Sequence, residues 1–190
     1  MGSVIGSAIV FNTDLHKYRM AIQCIFIGNT GVGKTSIIQQ AISKKATRIL
    51  PTVGVECQHY RFKETDLNIW DTSGLDNFHS LIRMFEKQCN SIVYVFDASS
   101  PTTLQSICDW HDELYDTRKK YFCICNKIDL SSSKEFESRI THLYPEIHFL
   151  ESSIDITDNG KRLLQIIIEN SEKIEYIQAH SLPRSCCKIS

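Results

Sequence analysis

The chain has 190 residues, 42% of them apolar, and its 21 basic and 22 acidic side chains leave a formal charge of −1. That length and core content suit one domain, and a near-neutral balance without blocks of like charge gives no electrostatic footprint for nucleic acid. The eight cysteines are scattered, Cys123-Ile-Cys125 lacks a second pair at ligand spacing, and no positive n-region precedes the apolar start "MGSVIGSAIV", which is too short to cross a bilayer. They are read as reduced cytosolic thiols rather than a disulfide or zinc framework.

In chain order, "AIQCIFIG" (21–28), "SIVYVFD" (91–97) and "YFCIC" (121–125) are short runs rich in Ile, Val, Phe and Cys, and read as buried parallel strands. Helical stretches follow each: "TSIIQQAI", "PTTLQSICDWHDEL" and "SKEFESRITHL", with Ser100 as cap and Pro101 as first helical residue of the second. Residues 53–62 and 66–70 flank the turn-rich "KETD" and read as a hairpin; "IHFLES" reads as a last strand and "GKRLLQIIIENSEKIEYI" (160–177) as a last helix. The alternation predicts an α/β fold with a mostly parallel six-stranded sheet, one antiparallel edge and helices on both faces. Residues 1–20 and 179–190 read as extensions of a core domain spanning 21–178.

Gly28-Asn-Thr30-Gly31-Val32-Gly33-Lys34-Thr35 fits G-x-x-x-x-G-K-[ST] and lies after a strand and before a helix, where the mechanism needs it. Glycines let successive backbone N–H groups face phosphate oxygens, Lys34 reaches the β and γ phosphates, and Thr35 offers Mg2+ a hydroxyl. Asp71 closes the strand "LNIW" and projects from the carboxyl edge of the sheet as the second metal-side group. Asn126-Lys127-Ile-Asp129 follows "YFCIC", and its carboxylate can accept from both the N1–H and 2-amino group of guanine, a pair that adenine lacks. In series, these motifs point to GTP/GDP with Mg2+.

With "GNTGVGKT", "PTVGVE", "WDTSG" and "NKID" in that order and "ESS" at 151–153, the chain resembles the Ras superfamily of small GTPases over about residues 20–178. "TVGVE" and the cysteine pair near the end make it most similar to the Rab branch. The resemblance implies the P-loop small G protein fold, Thr52 as the switch I threonine meeting Mg2+ and the γ phosphate, Gly74 as a backbone N–H donor to that phosphate, and Ser153 with Ile154 in the loop closing over guanine. It also implies effector proteins, an exchange factor, a GTPase-activating protein, a GDP dissociation inhibitor and prenyl transferase as partners, and a role in vesicle trafficking.

The departures from the family pattern are local. Ile154-Asp155 replaces the usual Ala-Lys, which bears on base affinity. Cys57 replaces a large aromatic in the surface patch shared with Trp70 and Phe85, and the segment from Thr52 to Asp71 is a few residues short, implying a tight hairpin. Leu75 stands where the family places the glutamine that orients the attacking water. Leucine has no donor or acceptor, so the expectation is a GTP hydrolase that is slow without an activating protein. An activator of the TBC type could supply the missing amide and an arginine. A constitutively GTP-loaded binding module, and a Leu75 without consequence, are the alternatives.

In the tail "SCCKIS", Cys186 and Cys187 suit a Rab-type pair of geranylgeranyl groups; Cys187-Lys-Ile-Ser is the single-lipid alternative, with a non-aliphatic Lys188. Two lipids give stable anchoring where one chain holds only marginally, so the expected location is the cytoplasmic face of an endomembrane with a cytosolic pool.

Overall fold

Long apolar runs become the central strands because both faces of the sheet are covered. In the computed structural model, which describes residues 20–42, 52–75, 78–153, 155–156, 158–171 and 174–175, the strands are β1 (Met20–Ile27), β2 (Val55–Phe62), β3 (Thr65–Thr72), β4 (Ser91–Asp97), β5 (Lys120–Asn126), β6 (Ile147–Glu151) and β7 (Ile174–Glu175). The helices are α1 (Lys34–Ile42), α2 (His79–Glu86), α3 (Thr102–Leu114), α4 (Lys134–Leu143) and α5 (Asn159–Asn170). The sheet order is β2-β3-β1-β4-β5-β6, parallel except for β2 against β3 and a short antiparallel pairing of β7 with β1.

The pleat sorts the core into two layers. Ile25, Ile27, Tyr94, Phe96, Cys123 and Cys125 point toward α2, α3 and α4, where Ile82, Leu104, Ile107, Trp110 and Ile140 meet them. Cys24, Phe26, Val93, Val95, Phe122 and Ile124 point the other way, onto Ile37 and Ile38 of α1 and Leu163, Leu164 and Ile167 of α5. Burying each such aliphatic or aromatic side chain contributes about 1.5–3 kcal/mol, which offsets the entropy of ordering the strands.

The expected strands are all present, and so are three of the helices at nearly the expected bounds; three local features differ. The last helix ends at Asn170, not near 177: Ser171 is extended, and Ile174 and Glu175 instead pair with Ala21 and Met20. These two residues cover the edge of β1 below Cys24, where its pairing with β4 begins. The apolar spacing of Ile174 and Ile177 suggests a helix, but backbone pairing at an open strand edge prevails at Ile174. Helix α2 was not expected; its eight residues, "HSLIRMFE", bury only Ile82 and Glu86. The hairpin loop is just Lys63-Glu64, since Phe62 pairs with Thr65 and Asp66 already belongs to β3. So short a connection, without Gly or Asn, drives Lys63 to a φ of 54°.

Candidate functional site: a two-ended nucleotide cleft

The strand order reverses direction at β1, flanked by β3 on one side and β4 on the other. That switch point opens a crevice at the carboxyl ends of the strands, and residues 28–33 fill it before α1 begins at Lys34. The loop must lie close to its neighbours. A Cβ on Gly33, whose φ is 102°, would come within 2.3 Å of the Asn126 amide nitrogen, so only glycine fits. Gly74 is equally confined: a Cβ there would sit 2.1 Å from the Thr30 backbone nitrogen and 2.2 Å from the Asn29 carbonyl carbon. The Asp71–Gly74 segment thus packs on the phosphate loop.

At this end three polar side chains converge with the lysine of the loop. Lys34 reaches back over the loop, donating from Nζ to the carbonyls of Gly28 (2.7 Å) and Asn29 (3.0 Å). Thr35 Oγ1 donates to Asp71 Oδ2 at 2.7 Å, and Thr52 Oγ1 lies 2.9 Å from Thr35 Oγ1 and 3.3 Å from the same carboxylate oxygen. Asp71 is held there by register, with Thr72 Oγ1 donating to the Phe26 carbonyl (2.6 Å) and Ser73 N–H to that of Gly54 (2.7 Å). The second bond ties the segment after Thr52 to the segment after Asp71. Around these groups lies a cleft of about 450 Å³ bordered by Gly31, Lys34, Thr35, Thr52, Gly74 and Leu75.

The electrostatics favour added charge of both signs. Burial pushes the Lys34 ammonium down to about 8, with Asp71 opposing the fall. Burial also pushes the Asp71 carboxyl above its ordinary value, against the pull of Thr35, Lys34 and Thr52. Asp71 Oδ1 is buried without a hydrogen-bond partner among the described residues. A desolvated carboxylate with an orphaned oxygen beside two hydroxyls fits the donor set of Mg2+, which takes one or two carboxylates and completes its shell with substrate phosphates. An under-compensated ammonium at the mouth of a loop of backbone N–H groups fits a polyphosphate. The residues present therefore could hold both groups.

The other end is built from side chains braced on one another. Asn126 donates from Nδ2 to the Val32 carbonyl at 2.8 Å, bridging β5 to the phosphate loop. Ser153 Oγ donates to Asp129 Oδ1 at 2.5 Å, and Lys127, in the left-handed region at φ 62°, donates from Nζ to Asp97 Oδ2 at 2.6 Å. The loop bearing Ser153 is brought alongside by backbone bonds from Ser152 N to Cys125 O and from Ile128 N to Ser152 O. Asn159, fully buried at the start of α5, donates to Ser152 Oγ (2.8 Å) and the Ser153 carbonyl (3.3 Å).

The site residues expected from sequence thus fall into two groups on one edge of the sheet: Gly28 to Thr35, Thr52, Asp71 and Gly74 at one end, and Asn126, Lys127, Asp129 and Ser153 at the other. Leu75 borders the first group, 48% exposed. Trp70 packs on Phe85 with ring centroids 4.6 Å apart, and exposed Cys57 stands in register opposite Trp70. Ile154, Cys186 and Cys187 lie outside the described residues. Sequence reasoning missed Asp97, which meets Lys127 from the neighbouring strand, and Asn159, which braces Ser152 and Ser153 from the start of α5. A cleft of about 620 Å³ between the C-terminal ends of α2 and α3 is the larger hollow, but it touches neither group.

A parallel sheet with a phosphate loop at its switch point and a carboxylate on the neighbouring strand defines a P-loop nucleotide-binding protein. The chain belongs to the Ras family, whose profile matches residues 23–173. It is Rab-like by the curated proteins it resembles. It is 30% identical over 120 residues to the Ras-related protein Rab-7B of Dictyostelium discoideum, covering 60% of this chain and 61% of that one. It is 25% identical over 175 residues to Rab-7a of the same organism, covering 84% of this chain and 86% of the relative, and 25% identical over 168 residues to human Rab-30, covering 79% of each. The matches to Rab-7B and to RABC2b of Arabidopsis thaliana span about three fifths of those relatives' length.

Proposed function

We propose that the chain binds GTP and GDP with Mg2+ and acts as a Rab-like switch in vesicle trafficking, with slow intrinsic GTP hydrolysis. The observation that carries the binding is the convergence of Lys34, Thr35, Thr52 and Asp71 in one cleft. Lys34 and the loop amides would hold the phosphates; Thr35, Thr52 and Asp71 would hold Mg2+, whose charge would offset that of the phosphate oxygens. Gly74 N–H meets the γ phosphate, and Asp129, fixed by Ser153, selects guanine. Leu75 borders the same cleft with a hydrocarbon side chain, so nothing at that position orients an attacking water.

In this reading, effectors recognise the GTP-bound surface around Trp70 and Phe85, reshaped by the small side chain of Cys57. An exchange factor and an activating protein set the nucleotide state. Lipids on Cys186 and Cys187, added by prenyl transferase and shielded by a GDP dissociation inhibitor, hold the protein on an endomembrane. Among the described residues no helix is long and apolar enough to cross a membrane. The same hydrocarbon at Leu75 favours a second reading, a GTP-loaded binding module that does not cycle by its own chemistry.

Single-turnover GTP hydrolysis by wild type and Leu75→Gln, with and without a Rab-activating domain, separates these readings. One positioned polar group is worth on the order of a hundredfold in rate, so Leu75→Gln should accelerate hydrolysis by about that factor. Normal hydrolysis by the wild type alone overturns slow hydrolysis, and equal rates for the two proteins remove Leu75 as its cause; a wild type that no activator accelerates favours the binding module. Tight ATP binding, or GTP retention by Asp129→Ala, would remove the guanine assignment.

A further inference from the structure

Each polar side chain of the Asn126–Asp129 motif has its own anchor: the Val32 carbonyl for Asn126, Ser153 for Asp129, and Asp97 for Lys127. The third belongs to no motif. Asp97 ends β4 as the direct register partner of Asn126, so its carboxylate lies at the same sheet edge as the turn that carries Lys127. It is fixed before Lys127 meets it. Its Oδ1 accepts from Ser99 N–H (2.9 Å) and Ser99 Oγ (2.6 Å), and its own N–H donates to Thr103 Oγ1 (3.0 Å). Oδ2 is left for the ammonium. Burial pushes the Asp97 carboxyl up, but Lys127 and Ser99 more than offset this and hold it below the ordinary range.

We propose that Asp97 is a positioning residue for the nucleotide base, acting through Lys127. The left-handed backbone at Lys127 turns its side chain toward β4, and the bond to Asp97 fixes the far end of the four-carbon stem. With both ends held and about a third of the side chain exposed, the stem forms a fixed apolar ledge for a flat base, while the ammonium needs no contact with the ligand. A long side chain ordered in advance spares the complex roughly a two- to tenfold entropic penalty. This rests on the reading of the cleft as a guanine-nucleotide site.

The test follows release of a fluorescent GDP from the full chain in wild type, Asp97→Asn, Lys127→Ala and the double variant, each with its melting temperature. Asp97→Asn should release GDP several-fold to about tenfold faster, and the double variant no faster than Lys127→Ala alone. A wild-type rate for Asp97→Asn overturns the inference. So do effects that multiply in the double variant, because they would assign Asp97 a merely structural role in the 97–103 turn. A wild type that retains no GDP overturns the guanine reading and this inference together, whereas retention by wild type with an unchanged Asp97→Asn removes the inference alone.

Discussion

The two ends of the cleft solve the same problem in opposite ways. At the phosphate end the loop offers mostly backbone, and its charged groups are left short of partners: Lys34 rests on two carbonyls and Asp71 keeps an orphaned oxygen. At the base end every polar side chain of the motif already has a partner, with Asp129 on Ser153 and Lys127 on Asp97. On the proposed reading, the first end stores unmet charge that a polyphosphate and a divalent cation would relieve, which makes it the source of affinity. The second commits its polar groups to holding shape, which on the same reading makes it the source of selectivity. None of the hydrogen bonds that build either end involves the Leu75 side chain, so the proposed reading separates binding from hydrolysis.

The largest break in this contrast comes from Lys34→Ala. Truncating one buried charge beside its ligand costs about 2 to 5 kcal/mol, so calorimetric GDP affinity should fall at least about thirtyfold; an unchanged affinity would show that the loop amides suffice. Asn126→Ala should cost about 1 to 3 kcal/mol, because the Val32 carbonyl is left buried and unpaired. It should lower affinity for pyrophosphate as well as for GDP, and an effect confined to GDP would mean that the two ends are independent.

A gentler probe is pH. In the free protein Lys34 titrates near 8, below its unfolded value of 10.5, because of burial. Between those values the folded chain binds fewer protons than the unfolded one, so this group's contribution to stability improves as pH rises through the window. Phosphate needs the charged form, so GDP affinity should be flat below about pH 7.5 and decline above 8 toward about tenfold per pH unit, read from dissociation constants at pH 7 to 9.5. A flat profile would mean that Asp71 keeps the ammonium charged throughout. The smallest effect expected lies outside the cleft: Lys63→Gly relieves a left-handed residue at the hairpin and should add about 1 kcal/mol of thermal stability without changing GDP affinity. Loss of stability would show that the Lys63 side chain contributes more than its backbone costs.

Much of this was legible from the chain alone, for identifiable reasons. The central strands announce themselves because burial on both faces demands unbroken apolar runs, as in "SIVYVFD". Gly33, Lys34 and Asp71 are legible because their chemistry is local to a motif. Helix α2 was not, since a short helix at the rim buries little and its sequence lacks a cap; no side chain caps it in the structure. The end of α5 was hidden because pairing of Ile174 with Ala21 is decided at the far end of the chain. Asp97 and Asn159 carry no local signal, as an acid ending a strand and an amide starting a helix are ordinary until their partners are known.

The bond from Asn126 to Val32 also ties the two ends together, so on the proposed reading a nucleotide would meet the cleft as a bivalent ligand whose halves are joined by its ribose. Once one half is seated, the other faces its subsite at an effective concentration far above any in solution. Guanosine and inorganic pyrophosphate supplied together should therefore fail to replace GDP, although between them they could make most of the same contacts.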